Sequence, residues 1–245
     1  MESSFIPYTA TTILPQGNVL VLAPHPDDEA FGCAGAIMQH VAQGNSVSVI
    51  ILTDGSAAIA HPDNDSLLKY IKTRQQESRQ AAKLLGYGEP EFWCLTDRTL
   101  ECNEALIQRL LDTIKEKHIT QVYAPSVAEI HPDHYALAMS AVTAVLSCGE
   151  SVSLAMYEIG VPLHPNILLD ITPVIQRKQE VMACFTSQLA IQKYDYQIRG
   201  LNAYRSYTLA PEIMAAEAYN VLNGIELQTP CRLFGRSRQT SLLDF

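Results

Sequence analysis

A doubly wound, mostly parallel α/β fold is predicted, Rossmann-like with helices on both faces and a small C-terminal extension, and three observations carry the prediction. Short β-rich apolar runs alternate with helical patterns through the first 147 residues. The runs are apolar nearly throughout, as strands covered on both faces are. A chain of 245 residues can also bury a core without disulfide or structural-metal support. Strand and helix in alternation call for parallel strands joined by crossover helices.

Residues 1–17 read as an irregular lead-in. Asn18 to Ala23, NVLVLA, is a buried strand closed by Pro24. Glu29 to Gln43 is small, apolar and helically spaced, with Gly44-Asn45 as its stop. Ser46 to Leu52 is a second strand, ending at Thr53-Asp54-Gly55. A polar loop containing His61-Pro62-Asp63 leads into an amphipathic helix over Ser66 to Leu85, stopped by Gly86. Glu91 to Leu95 is a third strand. Asn103 caps a helix to about Lys117. Gln121 to Ala124 is a fourth strand, closed by Pro125, and Asp133 to Leu146 a further helix.

Beyond this the rhythm loosens. Leu154 to Ile159 and Ile167 to Leu169 read as strands, one of them a candidate antiparallel edge. Pro173 to Gln188 and Ile213 to Leu222 read as helices. With no linker or repeat to divide it, the chain is expected to be one domain over 1–245. Residues 18–147 would form the α/β core, and 148–245 would complete the substrate side.

Composition narrows the function. There are 17 Lys and Arg against 26 Asp and Glu, a net charge of −9. That field repels phosphate backbones, so nucleic acid is not an expected partner. The N-terminal residues lack a basic segment followed by an apolar one, and no apolar run reaches spanning length. The six cysteines form no C-x-x-C pair, which favours a reducing compartment. A cytoplasmic protein is expected.

The chemistry lies in two short segments, Pro24-His25-Pro26-Asp27-Asp28-Glu29 and His131-Pro132-Asp133-His134. Each follows a strand of the alternating array, and open α/β sheets build their sites at the carboxyl ends of strands. His25, Asp28 and His134 offer two imidazoles and a carboxylate, a set that suits a catalytic zinc with one position open to water. Asp27 beside Asp28 is free to act as the base for that water. His131 could polarise a carbonyl or protonate a leaving amine, oriented by the carboxylate of Asp133. Pro26 and Pro132 hold the histidines before them in extended geometry. His61-Pro62-Asp63 and His164-Pro165 read as ordinary turns. A dinucleotide-binding enzyme does not fit, because no G-x-G-x-x-G loop follows the first strand.

On these residues the sequence resembles the LmbE-like, or PIG-L, family of N-acetylglucosaminyl deacetylases. His-Pro-Asp-Asp-Glu at 25–29 and His-Pro-Asp-His at 131–134 match the family's two motifs. Thr53-Asp54-Gly55, Arg74-Gln75-Gln76-Glu77, Asp170-Ile171-Thr172, Lys178, Ser187-Gln188 and Ala216-Glu217-Ala218-Tyr219 match more weakly. The resemblance implies that His25, Asp28 and His134 hold zinc, though another divalent ion would suit the same donors. It implies Asp27 as base, His131 and Asp133 in catalysis, and Arg74 on substrate hydroxyls or phosphate.

The implied reaction removes acetyl from an N-acetylglucosamine-type sugar or its conjugate, a small-molecule substrate, releasing acetate and a free amine. A homo-oligomer is compatible with this reading. The residues alone equally permit hydrolysis of a non-sugar acyl amide, or a metal-binding protein without catalysis. The late tyrosines Tyr194, Tyr196, Tyr204 and Tyr207 read as core or interface aromatics, or as stacking surfaces for a sugar.

Overall fold

The structure, a computed structural model, describes residues 10–12, 14–59 and 63–234. The strands are β1 (Ala10–Thr11), β2 (Asn18–Ala23), β3 (Ser46–Thr53), β4 (Glu91–Leu95), β5 (Ile119–Pro125), β6 (Ser153–Tyr157), β7 (Ile167–Asp170) and β8 (Ala216–Asn223). The helices are α1 (Asp28–Ala42), α2 (Asn64–Leu85), α3 (Glu104–Glu116), α4 (Pro132–Leu146), α5 (Ile175–Met182), α6 (Thr186–Leu189), α7 (Tyr194–Arg205) and α8 (Pro230–Leu233).

All eight strands join one sheet in the order β1-β7-β8-β6-β5-β2-β3-β4. Every pairing is parallel except those of β8, which runs antiparallel to both β6 and β7. The period-2 alternation of a strand explains why the apolar runs looked continuous. Val19, Val21 and Ala23 point into a core with α1, α2 and α5, while Leu20 and Leu22 point into a second core with α3 and α4. The helices thus cover both faces, as the sequence predicts.

Local chemistry sets the helix ends. Asp63 caps α2 by accepting from the Ser66 N–H at 2.9 Å, and Gly86 closes it at φ 84°. Asn103 caps α3 through the Leu106 N–H at 3.0 Å. His131 caps α4, with Pro132 in the first turn, where a missing N–H costs nothing.

The second half departs from expectation in three ways. Residues 213–222 do not form a helix: 216–223 are β8, set between β6 and β7 and buried along most of its length. A strand covered on both faces shows no alternation, and its Ala and Glu content imitates a helix. The helix expected over 173–188 is divided into a turn of 3₁₀ helix at 172–174, α5 and α6. The helix α7 was not foreseen, since Gly200 interrupts a polar, tyrosine-rich stretch.

The chain leaves β2 for β3 and β4 on one side, then returns to β5 on the other side of β2. The order therefore reverses between β2 and β5, and a crevice opens at their carboxyl ends. The two histidine segments emerge there.

Candidate metal centre and active site

Both segments converge on a cavity of about 290 Å³ whose lining includes His25, Asp27, Asp28, Glu129, His131 and His134. A larger surface groove of about 720 Å³, lined by Lys72, Gln76 and Glu180, lies between α2 and α5 and contains none of these groups.

Three donor atoms meet at the cavity floor. His25 Nδ1 is 3.1 Å from Asp28 Oδ2, His134 Nε2 is 3.2 Å from the same oxygen, and the two ring nitrogens are 3.3 Å apart. Ligand atoms about 2.1 Å from a tetrahedral ion stand about 3.4 Å from one another. The triangle therefore has nearly the edge lengths of one face of such a site, and the donor set fits a divalent cation. The site also draws positive charge. Burial alone would lower the His25 pKa, yet Asp133, Asp28 and Asp97 outweigh it and hold the ring well above its ordinary value. Burial opposes protonation of His134 too, but Asp28 and Glu129 lift it to about 9. Asp28, despite burial, is held far below the carboxylate range by the two histidines.

The far side of each ring is held by acids. Nε2 of His25 donates to Asp133 Oδ2 at 3.1 Å and lies 3.2 Å from Asp97 Oδ1. With Nε2 so occupied, Nδ1 is the nitrogen whose lone pair would meet a cation when the ring is neutral. Glu129 Oε2 stands 3.5 Å from His134 Nδ1. Its Oε1 accepts from the N–H groups of Ile159, Gly160 and Val161, tying His134 to the loop after β6.

Asp133 is thus placed differently from expectation. Its carboxylate does not orient His131. It serves His25 and accepts from the backbone N–H groups of Arg98 and Leu100 at 2.7 and 3.1 Å. Sitting in the first turn of α4, its side chain folds back toward β4's following loop, and only its backbone N–H reaches His131, donating to Nδ1 at 3.2 Å. That bond occupies Nδ1 and leaves Nε2 as the N–H of a neutral ring. Burial, then the charges on His25 and His134, lower the His131 pKa.

Asp27 occupies strained backbone, with φ 140° and ψ −30°. Its N–H donates to Glu29 Oε2 at 2.9 Å, and its carbonyl starts α1 by accepting from Ala30 and Phe31. Burial raises its carboxyl to about 7, with Arg74 pulling down and Asp28 pushing up. Burial and the neighbouring Asp27 raise Glu29 to about 8.

Arg74 lines the cavity and is bound within the protein. It was expected on substrate, and its side chain is 3% exposed. Nη1 donates to the Gly55 carbonyl at 2.8 Å, and Nη2 to the Pro26 carbonyl at 2.7 Å and to Asp27 Oδ2 at 3.0 Å. It reaches the cavity wall with Nη1 and Nη2 committed inward, while Nε has no hydrogen-bond partner among the described residues. Glu77, its neighbour one turn on, anchors Thr186 and Ser187 at the start of α6.

Sequence reasoning missed Asp97 and Glu129, and singled out Gln188 only as part of a weak match. Asp97 and Glu129 lie in loops after β4 and β5, where the alternation of elements could have flagged any acid at a strand's carboxyl end. Gln188 lines the cavity from α6 and donates to Tyr70 OH at 2.6 Å. Of the four late tyrosines, Tyr194 lines the cavity, while Tyr196, Tyr204 and Tyr207 are exposed rather than in the core. In the loop 55–65, Ala58 reaches the cavity, Asp63 caps α2, and His61 and Pro62 lie outside the described residues.

The chain is similar to several known proteins. It is 24% identical over 187 residues to the probable N-acetyl-alpha-D-glucosaminyl L-malate deacetylase 2 of Bacillus anthracis, covering 71% of this chain and 82% of that one. It is 25% identical over 228 residues to the 4-oxalmesaconate hydratase of Pseudomonas putida, covering 83% and 88%. In fold it matches the N,N'-diacetylchitobiose deacetylase of Pyrococcus horikoshii with a TM-score of 0.74, at 21% identity over 85% of this chain and 84% of that one. The family model described as PIG-L, GlcNAc-PI de-N-acetylase, matches residues 20–145, just over half of the sequence. That span takes in both histidine segments and the triangle of donor atoms between them, and the chain belongs to the PIG-L family.

Proposed function

We propose that this protein is a zinc-dependent N-deacetylase that hydrolyses the acetamide of an N-acetylglucosamine-type sugar or its conjugate, releasing acetate and a free amine. The observation that carries the reading is the triangle of His25 Nδ1, Asp28 Oδ2 and His134 Nε2, with edges of 3.1–3.3 Å, beside the strained carboxylate of Asp27. Zinc held by these three residues would supply Lewis acidity toward a water and an amide carbonyl.

The chain's own groups do the rest. Asp27 takes the proton of the attacking water and passes it to the leaving nitrogen. Arg74 holds that carboxylate in place. Asp133 and Asp97 fix the ring of His25, and Glu129 that of His134. The Nε2–H of His131 donates to the oxygen that gains charge as the carbonyl is attacked.

The chain works as one deacetylase domain. In support, β6, β7 and β8 extend the same sheet, and Gly160, Gln188 and Tyr194 from the second half line the cavity. No helix among the described residues is long and apolar enough to cross a membrane. The six unpaired cysteines support a reducing, cytoplasmic location.

A second reading draws on the hydratase relative, whose alignment with this chain is the longest of those above. Water activated beside Asp27 could add to a conjugated double bond instead of an amide. One experiment separates the two. Metal content is measured, and acetate release from N-acetylglucosamine glycosides is followed with and without chelator. Zinc near one per chain with chelator-sensitive acetate release supports the deacetylase. No acetate from any glycoside, with loss of diene absorbance from an unsaturated carboxylate, favours the hydratase.

A further inference from the structure

Two arginines line the cavity, and they differ in what they are bound to. Arg74 is buried and spends its guanidinium on Asp27 and two carbonyls. Arg98 is exposed at the cavity wall, and among the described residues its side chain meets no hydrogen-bond or ion-pair partner.

This is unexpected from charge alone, because four carboxylates line the same cavity. Each is engaged elsewhere. Asp27 is held by Arg74. Asp28 faces both His25 and His134. Asp97 accepts from the Ala57 N–H at 2.9 Å and faces His25. Glu129 takes the N–H groups of the loop after β6. The acids have turned inward, and none of these four is left to meet the guanidinium.

Its backbone is nevertheless fixed. The Arg98 N–H donates to Asp133 Oδ2 at 2.7 Å, the same oxygen that receives Nε2 of His25. Its φ is 63°, a conformation that a non-glycine residue adopts at some cost. A backbone clamped to the acid behind a metal-site histidine fixes where the Arg98 side chain leaves the chain, at the wall of the cavity. A planar guanidinium carried at that wall suits a carboxylate or phosphate.

We propose that Arg98 is a specificity-determining residue and that the substrate carries an anionic group, a carboxylate or a phosphate, beyond its acetamide. The anion lies against Arg98 while the acetamide lies over His25, Asp28 and His134. The exposed Ile130 and the ring of Tyr194 line the same cavity and offer the apolar surface between polar ends. The inference rests on the deacetylase reading for its substrate, and its test keeps the two apart.

Zinc-loaded protein is assayed for acetate release from three N-acetylglucosamine substrates: the methyl glycoside, the carboxymethyl glycoside and the 1-phosphate. The wild type favours at least one anionic substrate over the methyl glycoside by about tenfold or more in kcat/KM. In Arg98→Gln that ratio collapses toward one through KM, and Arg98→Lys falls between. Gln and Lys meet the same backbone strain as Arg, and metal content and thermal midpoint show that each variant is folded. The carboxylate and phosphate arms tell which anion is preferred. Equal ratios in wild type and Arg98→Gln, with acetate released, overturn the inference and leave the deacetylase standing. If no acetate is released, calorimetry with glucosamine 1-phosphate and with carboxymethyl glucosaminide decides. Binding that needs Arg98 upholds the anion site while the deacetylase falls, and binding indifferent to Arg98→Gln ends both.

Discussion

At the scale of single residues the site depends on groups that no substrate would touch. Gly55 is one. Its φ is 65°, and a Cβ there would stand 2.2 Å from Nη1 of Arg74 and 3.0 Å from Pro26 Cδ. Arg74 cannot yield freely, because three acceptors fix its guanidinium. Gly55→Ala is therefore expected to push Arg74 off Asp27, while the donor triangle, built on other elements, stays intact. A general base contributes about 10²–10⁴ to rate, so partial misplacement should lower kcat by roughly ten- to a hundredfold with zinc content near wild type. A variant that keeps full kcat, or that loses its metal, would show that Arg74 does not position Asp27. Asp27→Asn should go further, reducing acetate release close to background with zinc retained, whereas His134→Ala should lose zinc. Metal analysis beside the rate distinguishes them.

The residue scale also marks how far sequence could reach. His25, Asp27, Asp28, His131 and His134 are legible because two short motifs hold them and each follows a strand. Arg74 is legible as a residue of interest, but its internal partners are not. Its partners Gly55, Pro26 and Asp27 lie 19 to 48 positions away, and only folding brings them to its guanidinium. Asp133 is similar: a carboxylate two residues from a histidine looks like its partner, yet the start of α4 turns it toward a histidine 108 positions earlier.

Among elements, α1 is held by an ion pair that no water reaches. Lys178 of α5 is fully buried and donates to Glu217 Oε1 of β8 at 2.7 Å. The same carboxylate accepts the N–H groups of Gly35 and Ala36 in the middle of α1 at 2.7 and 2.9 Å, and the Tyr219 hydroxyl. Gly35 leaves the room for it, since a Cβ there would lie 2.8 Å from the Glu217 carboxyl carbon. Removing one member of a buried pair leaves the other charge unmatched, at a cost of about 3–5 kcal/mol. Glu217→Gln should lose about that much stability in urea titration. Glu217→Gln combined with Lys178→Met should recover a good part of it, and a double variant no better than the single would argue against an unmatched lysine as the cause. The elements of the first half were legible from their periods and caps. β8 was not, because burial on both faces erases the alternation that identifies a strand, and its pairing with β6 and β7 is a long-range fact.

For the molecule as a whole, the sheet order creates the crevice between β2 and β5, and the same pair of strands is braced beneath by a histidine that cannot easily take a proton. His40 on α1 is buried, 2.9 Å from Tyr123 OH on β5 and 2.8 Å from Asn45 Nδ2. The Asn45 amide cannot turn over. Its Oδ1 accepts from the Gly17 N–H and its Nδ2 also donates to the Pro15 carbonyl. Nδ1 of His40 must then be an acceptor, which a protonated ring cannot be. Burial lowers its pKa to about 4.

The sign of the linkage follows. Above about 6.5, the ordinary histidine value, the ring is neutral folded or unfolded and no stability depends on pH through it. As pH falls from about 6.5 toward 4, the unfolded chain takes up a proton that the folded one refuses, so stability declines. Below about 4 both forms are protonated and the loss levels off. The slope in that window cannot exceed one proton's worth, about 1.4 kcal/mol per pH unit. His40→Gln keeps a neutral acceptor and donor but has no proton to gain. Urea unfolding of both proteins in the presence of chelator, so that metal release does not intervene, should give a wild-type advantage at pH 7 that shrinks as pH drops to 4. A difference between the two that stays constant across this range would mean that His40 is protonated as readily inside the fold as outside it, and that the Asn45 amide does not govern its ring.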